Sequence, residues 1–138
     1  MMRIETRKEI EKMLDDLIIR AQDITEETEI VQHGMKPAQL RNILEVASST
    51  NSIKAVEVFI QYQMGRKETQ KAWAKSRFGR RLLEEEIPAL ERRAEEISKK
   101  TGDDKKSILM EILRLYLGYL NRYFIYLNSI SSLRGEGT

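Results

Sequence analysis

The last third of the chain is the strongest constraint on its fold. Over residues 103–129 no proline intervenes, and Ile108, Leu109, Ile112, Leu113, Leu120, Tyr123, Phe124, Leu127 and then Ile130 recur largely at helical spacing. That spacing collects them on one side of a single long helix. The apolar side is broad, so other elements must cover it, and the helix is expected to be the central one of a bundle.

The rest of the chain supplies narrower stripes to lay against it. Ile10, Met13, Leu14, Leu17, Ile18 and Ala21 predict an amphipathic helix over residues 3–22, followed by the acidic connector TEETEIVQHG. Pro37 suits the first turn of a second helix, where its missing N–H leaves no gap, and Leu40, Ile43, Leu44 and Ala47 form its buried stripe. The polar run SSTNS breaks the chain, and Ser52 caps a third helix through Ile53, Val56, Phe59, Ile60 and Met64 to Gly65. RRLLEEEI reads as two helical turns ahead of Pro88, which opens or kinks a helix carrying Leu90, Ala94 and Ile97. SSLRGEGT, residues 131–138, reads as a frayed tail. No segment alternates with period two and no repeat is visible. The expected fold is all-α: one compact domain over residues 1–138, a bundle of five to six helices.

Composition narrows the class. The 138 residues suffice for one core, and 41% hydrophobic with 33% charged residues is too apolar for a disordered chain. No apolar run reaches the roughly 18 residues of a membrane span. MMRIETRKEIEK lacks the apolar stretch of a secretory signal, so the expected location is the cytoplasm and no membrane partner is expected. Cysteine is absent and His33 is the single histidine, which removes disulfides, thiolate metal sites and cysteine nucleophiles. No phosphate-binding loop, dinucleotide fingerprint, zinc-protease motif or nucleophile elbow occurs. The runs at Glu84 to Glu86, at Glu95 and Glu96, and at Asp103 and Asp104 are neighbours in sequence. Adjacent helical residues point apart, so these read as solvated faces. No catalytic residue, metal site or cofactor is expected.

Charge is distributed unevenly. Of 24 basic side chains seven fall between Phe59 and Arg81: Arg66, Lys67, Lys71, Lys75, Arg77, Arg80 and Arg81, against Glu68 alone. The remainder of the chain is left with a net excess of acid. A near-neutral protein with one concentrated cationic segment is expected to direct it at an anion. Trp73 and Phe78 lie among these cations, either to stack on an exposed base or to anchor the segment on the bundle. The weak apolar pattern of residues 66–81 predicts that part of the stretch is mobile. The tyrosines Tyr116, Tyr119, Tyr123 and Tyr126 repeat at helical spacing and read as packing residues with wet hydroxyls.

Two short motifs and a tyrosine pattern carry a family resemblance. QLRNIL, residues 39–44, opens one helix; YQMGRK, residues 62–67, ends the next; and the last helix contains LYLGYLNRYFIYLN, residues 115–128. Together these resemble the small subunit of the type III-A CRISPR effector, the second protein of the Csm complex. The resemblance implies an all-helical, non-catalytic protein bound in several copies along an RNA-guided complex. Its partners would be guide and target RNA, the repeated backbone subunit, the large subunit and neighbouring copies of itself. Motif matching carries over Arg41, Gly65 and Arg66. Lys36, Lys67, Lys71, Lys75, Arg77, Arg80 and Arg81 join them as RNA-binding candidates on charge. Gly65 would let a nucleic-acid backbone come close.

Other readings stay open. Residues 37–49 and 53–65 are placed as a helix-turn-helix DNA binder would place them, but the second helix has few cations before it ends, whereas recognition helices read bases early. A helical adaptor, including the related type III-B small subunit, is the third.

Overall fold

A computed structural model describes residues 2–133. Among them every regular element is helical, in the order α1 (Ile4–Lys12), α2 (Leu14–Glu27), α3 (Pro37–Ser49), α4 (Ile53–Gly65), a π-helical turn (Lys71–Lys75), α5 (Phe78–Arg81), a second π turn (Leu82–Glu86), α6 (Ile87–Thr101) and α7 (Lys105–Leu133). There are seven α-helices, not five or six. The first expected helix divides at Met13, whose N–H turns back to the Ile10 carbonyl at 3.1 Å, and α2 continues past Gln22 to Glu27. Buried Met13 is the pivot that lets α1 leave α7 and pack on α6.

The long C-terminal helix has the expected central place. At 29 residues α7 is about 43 Å long, and α2, α3 and α6 all lie against it. Its Ile108, Leu109, Ile112, Leu113, Tyr116, Leu117, Leu120 and Phe124 are buried. Ser131 to Leu133 remain helical where a frayed tail was expected; residues 134–138 of that tail fall outside the described part.

Polar contacts fix how the helices meet. Arg114 on α7 donates from Nε to the Ala47 carbonyl at 2.8 Å and from Nη2 to the Thr50 carbonyl at 3.0 Å, satisfying the C-terminal end of α3. Asp103 accepts from the Arg3 backbone N–H at 2.9 Å and the Thr6 hydroxyl at 2.5 Å, and so caps α1 from the α6–α7 turn. Those two hydrogen bonds, Thr6 first, hold its carboxyl below the usual aspartate range. Deeper in, Glu86 accepts from Arg20 Nε at 2.9 Å and from the Tyr116 hydroxyl at 3.0 Å. Burial, then the neighbouring Glu86 charge, pushes the Tyr116 hydroxyl pKa well above 10.

Residues 78–101 run as one continuous helical stretch through the π turn at Leu82–Glu86. Pro88, in the first turn of α6, opens that helix as expected, with no break from the turn before it. A proline ring clashes with the carbonyl four residues back, and the wider π turn just upstream relieves that clash.

Candidate nucleic-acid interface

The cationic stretch is built onto the bundle by its few apolar residues. After Gly65 the backbone becomes extended at Arg66, and the Thr69 hydroxyl donates to the Gln63 carbonyl at 2.7 Å, folding the chain back along α4. The π turn that follows points Ala72 and Trp73 inward, leaving Lys71 and Lys75 exposed. Trp73 is 0% exposed, edge-on to Phe59 at 6.3 Å and to Phe78 at 5.2 Å between ring centroids. The Ser76 hydroxyl donates to the Ala72 carbonyl and accepts from the Phe78 N–H at 3.1 Å. Between them Arg77 takes a left-handed conformation, φ 70°. Gly79 lets α5 reach α4: a Cβ there would lie 2.6 Å from the Met64 Cγ and 3.0 Å from the Trp73 carbonyl oxygen.

Of the two roles open to Trp73 and Phe78, the fold selects anchoring, and stacking on a base is overturned. The reason is their burial: neither ring reaches solvent. The aromatic of this region that does reach solvent is Tyr62, 59% exposed in the last turn of α4 with the Arg66 guanidinium 5.5 Å from its ring centroid. Tyr62 belongs to the YQMGRK motif, which by itself assigns it no role. Its place four residues before Arg66, across the end of α4, is the signal that could have found it.

The candidate cations fall into two groups. Arg80 donates to Glu84 at 2.8 Å, and Arg81, largely covered, meets Glu27 at 3.0 Å and Glu85 at 3.7 Å. With Thr28, Ser76 and Arg77 these residues line a polar cleft of about 490 Å³. The acids that balance Arg80 and Arg81 therefore sit beside them, brought there by α2 and by the helical turn that follows. Lys67, Lys71, Lys75 and Arg77 are exposed and make no ion pair among the described residues. Arg66 lies between the groups, held by Glu68 at 3.1 Å. The Glu68 carboxyl is kept below its usual range by its own backbone N–H first and by Arg66 second.

Arg41 and Lys36 lie on a different element, α3 and its leading residue. Both are exposed, and no hydrogen bond or ion pair among the described residues joins them to residues 66–81. Within the QLRNIL motif the glutamine is structural. Gln39 Oε1 accepts from the Lys36 N–H at 3.1 Å, closing the first turn of α3. Gly65 is helical, and a Cβ there would meet nothing within 4 Å. Its lack of a side chain has no explanation inside the fold.

The α3–α4 pair has helix-turn-helix connectivity, with residues 50–52 between the helices. The outer face of α4 nonetheless presents exposed Val58 and Tyr62, with Lys54 as its one lysine or arginine, which is poor chemistry for a major groove. His33 places Nδ1 2.9 Å from the Glu29 carbonyl oxygen. Among the described residues no three His, Cys, Asp or Glu side chains converge to hold a metal ion, and no helix is long and apolar enough to cross a membrane. No protein-family model, curated protein or solved structure matches this chain.

Proposed function

We propose that this protein is a non-catalytic RNA-binding small subunit of a type III-A CRISPR RNA-guided effector complex. In that reading it lines the groove holding guide and target RNA in the cytoplasm, beside the repeated backbone subunit, the large subunit and further copies of itself. The observation that carries RNA binding is the group Lys67, Lys71, Lys75 and Arg77: four exposed cations on one folded segment, without ion-pair partners among the described residues. Like charges gathered on one segment repel, and phosphate relieves that repulsion while releasing counterions. The assignment to one family rests on the QLRNIL and YQMGRK motifs, supported by the all-helical architecture and by the open surroundings of Gly65.

Purification of the protein from its native host at low salt, with sequencing of bound RNA, tests the reading. Repeat-derived guide RNA and a set of companion subunits are expected. A lone protein without RNA, or one bound to a specific DNA duplex, would remove the assignment. In vitro, Arg41→Ala and Lys67→Ala are each expected to weaken RNA binding and to lower the slope of log affinity against log salt by about 0.7 for a single strand. Each should leave the melting midpoint in place, because both side chains lie on the surface.

A further inference from the structure

Resting on the reading that this segment meets RNA, we propose that Tyr62 and Arg66 form a stacking site for an unpaired nucleobase. Tyr62 is 59% exposed, and Arg66 lies over its ring, 5.5 Å from the centroid, while its Nε donates to Glu68 at 3.1 Å. The pair is a flat, partly apolar surface of low rotamer freedom, already ordered before any ligand arrives. Val58, 61% exposed one turn earlier on the same face of α4, extends the apolar area.

Charge decides between a base and a protein partner. The patch holds Arg66, exposed Lys67 follows it in the chain, Lys71 lies on the turn that packs against α4, and the acid between them, Glu68, is engaged with Arg66. A phosphate attached to the stacked nucleoside therefore meets cations on leaving the ring. Tyr126, the other tyrosine well exposed among the described residues, lacks this setting. It leans on Tyr123 at 6.0 Å, whose hydroxyl donates to Glu26 with Asp23 nearby. Arg122, one turn before Tyr126, lies over the ring of Tyr119 at 5.3 Å instead, and the acids beside Tyr123 repel a nucleotide. Bases within an A-form duplex are already stacked and unavailable, so the ligand is single-stranded RNA or a base extruded from a duplex.

The test compares the full chain with Tyr62→Ala and Tyr62→Phe on two ligands, a short oligoadenylate and an abasic ribose-phosphate oligomer of equal length. Tyr62→Ala is expected to weaken oligoadenylate binding about five- to a hundredfold, leave abasic binding unchanged, and be rescued by Tyr62→Phe. Equal loss on both ligands, no loss on either, or no measurable binding by the wild type overturns the stacking site. So does loss of a self-associated species with RNA binding intact, which would make the patch a protein contact. Recovery of guide RNA from the host is scored separately. Base discrimination without guide RNA removes the CRISPR assignment and leaves the stacking site, whereas guide RNA without base discrimination removes the stacking site alone.

Discussion

Helix α7 and residues 70–81 each bury two large aromatic side chains completely, Tyr116 with Phe124 and Trp73 with Phe78, but Tyr116 and Trp73 are held by different means. Tyr116 sits in 29 residues of unbroken α-helix and gives its hydroxyl to Glu86, which Arg20 also engages. Trp73 sits in a five-residue π turn between a folded-back loop and a left-handed Arg77, and its Nε1 has no hydrogen-bond partner among the described residues. The first region is fixed by a repeating hydrogen-bond register and a satisfied polar network. The second is fixed by edge-to-face aromatic contacts around a glycine, so shape complementarity carries more of its stability.

The sharpest way to break that contrast is to remove the aromatic from the second region. Trp73→Ala takes away a fully buried side chain together with its contacts to Phe59 and Phe78. A loss of about 3–5 kcal/mol is expected in denaturant unfolding. Amide exchange should show protection lost first across residues 66–86 and retained in α7. Uniform loss along the chain would mean that both regions unfold as one unit.

Glycines give the next test. Gly79→Ala places a methyl against Met64 and the Trp73 carbonyl. The Met64 side chain is able to move, but the carbonyl is backbone, so a cost of about 1–3 kcal/mol is expected. Gly118→Ala in α7 meets only the Arg122 guanidinium at 3.7 Å and should stabilise by about 0.5–1 kcal/mol through helix propensity. Opposite signs in thermal or denaturant midpoints would locate tight packing in residues 70–86 and spare volume on this face of α7.

The polar network of α7 has a pH signature that the Trp73 cluster lacks. The Tyr116 pKa is raised in the folded protein, so above pH 10 the unfolded chain loses a proton that the native state keeps. Stability from this group is complete below pH 10 and falls as pH rises past it, by about 1.4 kcal/mol per pH unit. Tyr123, raised to about 12 by its bond to Glu26, adds to the same fall. In Tyr116→Phe the alkaline decline of the unfolding midpoint should be shallower, and an unchanged decline would assign it to other groups.

The two regions also differ in how far the sequence disclosed them. In α7, α3 and α4 the hydrogen-bond register is uniform, so apolar residues three and four apart identify the buried face, and Ser52 marks a start that the structure keeps, accepting from the Ala55 N–H at 3.1 Å. Register changes defeat that method. Trp73 and Phe78 are both buried although five residues apart, because the π turn ends at Lys75 and left-handed Arg77 redirects the backbone between them. The break at Met13 has no Pro or Gly to announce it. At the candidate site, the cations were visible as a charge run. Their division into paired and unpaired groups was legible only in part: Glu84 and Glu85 stand four residues after Arg80 and Arg81, whereas Glu27 reaches Arg81 through tertiary packing. The same limit concealed Tyr62: which aromatic stays in solvent depends on what covers the others.

Arg77 is where the strain of the second region and its proposed function meet. Its φ of 70° lies where a non-glycine side chain crowds its own backbone, a cost of about 1–3 kcal/mol, and no residue of α7 adopts such a conformation. Arg77→Gly removes that crowding but loosens the unfolded chain, so the net expected gain is about 1 kcal/mol. The same substitution deletes one of the four exposed cations without an ion-pair partner. RNA affinity should fall and the salt slope drop by about 0.7, for a protein that melts higher than its parent. That combination would tie the strain to nucleic-acid binding, because the folded chain alone would be better served by glycine. If the variant melts higher with affinity unchanged, the RNA-binding group reduces to Lys67, Lys71 and Lys75. If it melts lower, the arginine side chain stabilises the cleft beside Arg80 and Arg81 by more than its backbone costs, and Arg77 belongs with the structural cations.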